Sequence, residues 1–202
     1  MTLAGPSTAH TFALPNLLTF GRIAAIPAVV ACLFWSQIFQ GGLWLRWVAL
    51  FIFVTAAITD LLDGYLARMW EQQSPLGRML DPIADKLLVG SCLLMLAADG
   101  TILGWTLWAA IVILCREILV SGLREFLAEL HVRVRVTRLA KWKTTVQLVA
   151  IGFLIAGEAG DEVLPHTTAI GIALLWISAI VTLYTGWDYL RVAVHHLTHE
   201  ES

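Results

Sequence analysis

The strongest constraint on this chain is a repetition of apolar runs, each near the ~20 residues that cross a bilayer's hydrocarbon core, with only short polar breaks between them. About six windows of this kind span 17–39, 43–68, 78–98, 105–127, 144–157 and 168–194. A single crossing of such length must be helical, because backbone N–H and C=O groups find no water in hydrocarbon and have to pair within the segment. A membrane barrel would instead show short alternating strands. The sequence therefore predicts an all-α polytopic membrane protein with six transmembrane helices, forming one domain over 1–202. Composition agrees: 58% of the 202 residues are hydrophobic and 14% charged, with mean hydropathy +0.78, against roughly half and a quarter in soluble domains. Breakers fall at the expected boundaries, at Gly41-Gly42, Ser74-Pro75, Asp99-Gly100, Gly160-Asp161 and Pro165.

Basic residues orient the helices. Arg68 and Arg78 lie in the second-to-third connection, and Arg124, Arg133, Arg135, Arg138, Lys141 and Lys143 surround the fourth-to-fifth. Placing these in the cytoplasm, as the positive-inside rule requires, puts both termini there. The opposite connections hold Arg46 alone, with Asp99, Glu158, Asp161 and Glu162 read as solvated outer-loop acids. Several of the nine Trp, including Trp44, Trp105 and Trp187, fall near helix ends, where an amphipathic ring favours the headgroup layer.

The tail up to Asn16 lacks Lys, Arg and a small-residue cleavage pattern, so the first apolar run reads as a retained helix rather than a removed signal peptide. Cys32, Cys92 and Cys115 lie in separate apolar runs without metal-ligand spacing and read as buried, reduced thiols. The formal charge of −2 matters less than its distribution, and no nucleic-acid partner is expected.

One stretch departs from the apolar pattern: "DLLDGYLARMWEQQSPLGRMLDPIAD", from Asp60 to Asp85. At ~100° per residue, Asp60 and Asp63 share a helix face with Gly64 and Ala67. Gly77, Asp81 and Asp85 form a second stripe at the start of the third helix, where Pro82 is tolerated if it lies in the first turn. The short connection makes the two helices antiparallel neighbours and brings four carboxylates to one pocket at the cytoplasmic boundary. Hard oxygen ligands of this kind suit Mg²⁺ or Mn²⁺, which commonly share carboxylates with substrate phosphates. A pair of ions would serve phosphoryl displacement. Gly64, Ala67 and Gly77 leave room for a bulky phosphorylated ligand, and Arg68 offers a guanidinium fork to a phosphate. Taken singly, each Asp could equally be a helix cap or an ion-pair partner of Arg68, Arg78 or Lys86.

The joint pattern D-x2-D-G-x2-A-R-x8-G-x3-D-x3-D resembles the signature of the CDP-alcohol phosphatidyltransferase family at every fixed position. The resemblance implies that Asp60, Asp63 and Asp81 ligate metal and that Asp85 is the general base, in some cases also near a metal. It also implies that Gly64, Ala67, Arg68 and Gly77 accommodate the CDP moiety, and that the enzyme is an inner-membrane homodimer working at the cytoplasmic face among membrane lipids.

Two further stretches extend the resemblance. "PNLLTFGR" places Asn16, Thr19 and Arg22 three apart on the first helix, where they are candidates for capping the cytidine. The alternative is that Asn16 caps the helix and Arg22 snorkels to headgroups. In "REILVSGLREF", Arg116 and Glu117 sit deep in an apolar run, where ionisable groups are functional candidates by default. Arg116 and Arg124, with Lys141 of "KWKTTVQ", can hold one anion. Both stretches resemble the branch of the family whose acceptor is glycerol 3-phosphate more than the serine, inositol phosphate or cardiolipin branches. The expectation is transfer of a phosphatidyl group from CDP-diacylglycerol to glycerol 3-phosphate. A divalent-cation carrier is the rival from another class, since intramembrane carboxylates also mark ion paths, but it predicts acids near the midplane. His195, His196 and His199 read as a solvated tail, and Asp188 and Tyr189 are left without a role.

Overall fold

The computed structural model describes residues 14–39, 42–70, 75–129 and 138–199, and their side chains over 18–39, 42–60, 77, 79–128, 142–187 and 189–191. No strand occurs among them. Six helices follow in order: α1 Leu14–Ile38, α2 Leu43–Trp70, α3 Pro75–Ala98, α4 Thr106–Glu129, α5 Arg138–Val163 and α6 Thr167–His199. They divide into two compact units, Met1–Cys92 and Leu93–Ser202.

In the first unit α1 packs against α2. Val29 and Leu33 of α1, with Ala49 and Phe53 of α2, are at most 1% exposed. Pro75 opens α3, the first-turn position at which proline loses nothing. That start moves Pro82 beyond the first turn, contrary to the expectation. Its missing N–H leaves the Arg78 carbonyl without the usual i−4 bond, a defect that membrane helices tolerate.

In the second unit α6 packs against both α5 and α4, and Ile113, Ile151, Leu154, Ile155 and Leu175 are fully buried. The fifth helix is longer than its apolar pattern suggests. It passes through Gly157, whose backbone (φ 44°, ψ −126°) is open only to glycine, and continues to Val163. A β-carbon at Gly160 would stand 2.6 Å from Thr167 Cγ2, so a bare backbone there lets the end of α5 meet the start of α6. Asp161 then closes the hairpin: its carboxylate accepts the Thr168 N–H at 3.1 Å and the Thr168 hydroxyl at 2.5 Å. These are α6's first-turn donors, which would otherwise lack a partner. Asp161 is thus a helix cap rather than a merely solvated loop acid.

Four helices contain stretches long and apolar enough to cross a membrane, at Leu18–Ile38, Leu43–Asp60, Thr106–Ala128 and Thr167–Arg191. Among the described residues α3 and α5 do not. Asp81, Asp85 and Lys86 interrupt α3, while Lys143, Glu158, Asp161 and Glu162 bracket α5. Many large apolar side chains point outward, among them Phe51, Leu94, Trp108, Ile118 and Leu183, as expected where lipid rather than water surrounds the helices. Cys115 is one of these exposed residues, not a buried thiol; all three cysteines are free.

Candidate active site

Within the first unit, α1, α2 and α3 meet in polar contacts. Thr19 and Arg22, one turn apart on α1, are each only 2% exposed. The Thr19 hydroxyl donates to Asp81 Oδ1 of α3 at 2.5 Å, and Arg22 Nη1 lies 2.5 Å from Asp60 Oδ1 of α2. Asp60 and Asp81 are near enough for each carboxylate to act electrostatically on the other. Without Arg22 that like-charge contact at the edge of an apolar span would be strongly unfavourable.

Asp60 and Asp81, on either side of the α2–α3 connection, are thus near each other, and α1 is the element that holds them. Arg22 does not snorkel outward; it is buried against Asp60. Asp60 thus has an ion-pair partner on α1, while the side chains of Arg68 and Arg78 lie outside the described residues. Asp85 is half-buried on α3, and Gly77 is buried in its first turn. The side chains of Asn16, Asp63, Gly64, Ala67, Arg68 and Lys141 lie outside the described residues, as do Arg133, Arg135 and the Arg138 side chain.

Among the described residues no three His, Cys, Asp or Glu side chains stand together as a ready metal cage. The donor chemistry nonetheless fits a hard divalent ion. Asp60 and Asp81 supply oxygen ligands only, their mutual repulsion calls for positive charge, and Thr19 adds a hydroxyl without adding charge.

The second unit carries Arg116 and Arg124, two of the bases expected to bind the acceptor. Arg116 of α4 is 9% exposed and directs its guanidinium into α6: Nε donates to the Thr182 carbonyl at 3.1 Å and Nη2 to Thr185 Oγ1 at 3.0 Å. Its Nη1 lies 3.4 Å from Glu117 Oε1, and the same carboxylate oxygen pairs with Lys143 Nζ of α5. Arg124, two turns on from Arg116, is exposed. It rests on Tyr189 of α6, with Cζ 5.7 Å from the ring centroid and Nη2 3.5 Å from the hydroxyl.

Arg116 and Arg124 therefore belong to one basic face, but they differ in availability. Arg116 is engaged as a strut between α4 and α6, while Arg124 is braced along one side and open on the other. The contacts of Lys143 with Glu117 and of Tyr189 with Arg124 are ones that sequence reasoning missed. The signal for Lys143 was present: a glutamate inside an apolar run needs a counter-charge, and Lys143 opens the following span. Nothing in the sequence pointed to Tyr189.

The comparisons agree with this constellation. Residues 12–184 match the profile of a family described as CDP-alcohol phosphatidyltransferase. A CDP-diacylglycerol–glycerol-3-phosphate 3-phosphatidyltransferase of Cereibacter sphaeroides is 39% identical, covering 94% of this chain and 99% of the relative. One of the same name from Rickettsia bellii is 42% identical, over 88% of this chain and 93% of its own. A cardiolipin synthase (CMP-forming) from Oryza sativa is 37% identical over 92% of this chain, but over only 59% of the plant protein. With the acid-bearing stretch complete, its two helices joined through α1, and the match running over most of the sequence, this chain belongs to the CDP-alcohol phosphatidyltransferase family.

Proposed function

We propose that this protein transfers the phosphatidyl group of CDP-diacylglycerol to glycerol 3-phosphate, producing phosphatidylglycerophosphate and CMP. The observation that supports the proposal is that Arg22 and Thr19 of α1 hold Asp60 and Asp81, two of the family's four acids, near each other at the end of a span. In this reading the whole chain is one catalytic domain with six crossings, both termini and the site on the cytoplasmic side of a bacterial inner membrane, and it works as a homodimer. Acyl chains stay in the bilayer while the phosphates meet a water-borne acceptor.

Asp60, Asp63, Asp81 and Asp85 would hold Mg²⁺ or Mn²⁺, two ions in all, supplying positive charge to the pyrophosphate. Asn16, Thr19, Arg22, Gly64, Ala67, Arg68 and Gly77 surround the CDP moiety. Asp85 accepts the proton of the glycerol 3-phosphate 1-hydroxyl as its oxygen bonds to the lipid-side phosphorus. The bond from that phosphorus to the bridging oxygen breaks, and CMP departs with the electron pair. Arg124 and Lys141 bind the acceptor's phosphate, with Arg116 braced behind them.

The test is CMP release by purified protein with CDP-diacylglycerol, Mg²⁺ or Mn²⁺, and a panel of acceptors. Glycerol 3-phosphate should be preferred. Preference for phosphatidylglycerol would move the assignment to the cardiolipin reaction, as in the rice relative, and inositol phosphate or serine would do so for their branches. Absence of transfer to every acceptor, together with metal-dependent ion flux into vesicles, would replace the transferase by the carrier.

A further inference from the structure

Between α1 and α2 lies an apolar groove of about 270 Å³ that the chemistry above leaves unused. Its size is just below that of small-molecule pockets, which run from ~300 Å³, so it suits one slender occupant. On α1 the groove is framed by Gly21, Arg22 and Ala25, and on α2 by Phe51, Thr55 and Ala56. It exists because Gly21, Ala25 and Ala56 are too short to fill the space between the helices. A β-carbon built on Gly21 meets nothing within 4 Å.

The groove offers no free polar group to a headgroup or sugar. Its two threonines bond to their own helix, Thr55 Oγ1 donating to the Phe51 carbonyl and Thr59 Oγ1 to the Ala56 carbonyl, each at 2.8 Å. Arg22, the one charged residue in the lining, is paired with Asp60. The groove therefore takes hydrocarbon, and Arg22, which lines it, is also the residue that pairs with Asp60 of the acidic site. Both walls belong to candidate spans, Leu18–Ile38 and Leu43–Asp60.

From this shared residue we infer that the α1–α2 groove seats one acyl chain of the CDP-lipid donor, an assignment that rests on the transferase reading. Lipid tails are as apolar as the groove, so little affinity comes from leaving the bilayer. What the groove supplies is orientation: a chain fixed beside Arg22 holds the attached pyrophosphate at Asp60 and Asp81, and small errors of placement cost rate steeply.

The experiment compares kcat/KM for a donor with hexadecanoyl chains against one with butanoyl chains, in wild-type protein and in Gly21→Leu, whose new side chain enters open space. The long-to-short ratio should fall by about tenfold in the variant. An unchanged ratio in an active enzyme, including a parallel loss with both donors as expected if bulk lipid fills the groove, overturns the inference. A second measurement needs no variant. A donor with a diazirine midway along one acyl chain should label α1 or α2 of the wild-type protein, and excess unlabelled donor should suppress that label more than bulk phospholipid does. Labelling confined to other helices, or suppressed equally by both lipids, overturns the assignment. A wild-type protein releasing no CMP from either donor removes the transferase reading, and the groove assignment with it.

Discussion

Arg22 of α1 and Asp60 of α2 form a 2.5 Å ion pair in which the arginine side chain is 1% exposed and the carboxylate 34%. Breaking one side of a buried pair typically costs about 3–5 kcal/mol, and partial exposure of Asp60 reduces that to about 1–3 kcal/mol. Arg22→Met should therefore lower the unfolding temperature in detergent, and the double variant with Asp60→Asn should recover part of the loss. Additive effects of the two substitutions would show that the pair contributes no coupling.

Asp85 is assigned the proton transfer, a role typically worth ~10²–10⁴ in rate. Asp85→Asn should lower kcat within that range while donor binding, followed by equilibrium binding of a CDP-lipid, stays within a few-fold of wild type. Turnover near the wild-type level would remove Asp85 as the base.

Tyr189 braces Arg124 through its ring and a long hydrogen bond of 3.5 Å. A cation over an aromatic face is worth about 0.5–1 kcal/mol at exposed sites, whereas a hydrogen bond this long contributes little. Tyr189→Phe should thus change the KM for glycerol 3-phosphate by about twofold or less, and Tyr189→Leu should raise it several-fold. The KM for the lipid donor should move in neither variant. Equal rises for both substrates would indicate a purely structural tyrosine.

Glu117 is shared by Arg116 and Lys143 inside the second unit. Glu117→Gln leaves two buried cations facing one neutral amide and should destabilise by about 3 kcal/mol. Adding Lys143→Met removes one uncompensated charge and should restore part of that loss. Thermal denaturation of the single and double variants measures both effects.

Hydrogen bonds from Thr168 hold the Asp161 carboxyl below the usual carboxylate range. Its contribution to stability is therefore full above the unfolded value of ~3.9 and is lost as pH falls through the lower folded value. The unfolding temperatures of wild type and Asp161→Ala should differ at neutral pH and converge below about pH 4. A gap that persists unchanged into that acid range would exclude the ionised cap.

Much of the fold was legible because hydrocarbon leaves a chain few options. Runs of apolar residues near 20 long must be helices, and helices near every predicted span appear, together with the break at Asp99-Gly100. The lengths of α3 and α5 were less legible. Pro75 starts α3 earlier than its apolar pattern, and Gly157 lets α5 continue by adopting a backbone that hydropathy does not encode.

For the site, sequence alone supplied the residue types and their spacing: a three- or four-residue step puts Asp60 with Asp63, and Asp81 with Asp85, on common helix faces whatever the helices pack against. It also marked Arg116 and Glu117 as functional candidates, and charges at such depth need partners. Who those partners are is a matter of packing. Arg22 reaches Asp60 across 38 positions of chain, Lys143 reaches Glu117 across 26, and Tyr189 supports Arg124 across 65. Local periodicity carries no information at such separations. Only the tertiary structure decides which helix faces meet, and so it alone revealed α1 as the element that holds the acids and lines the groove beside them.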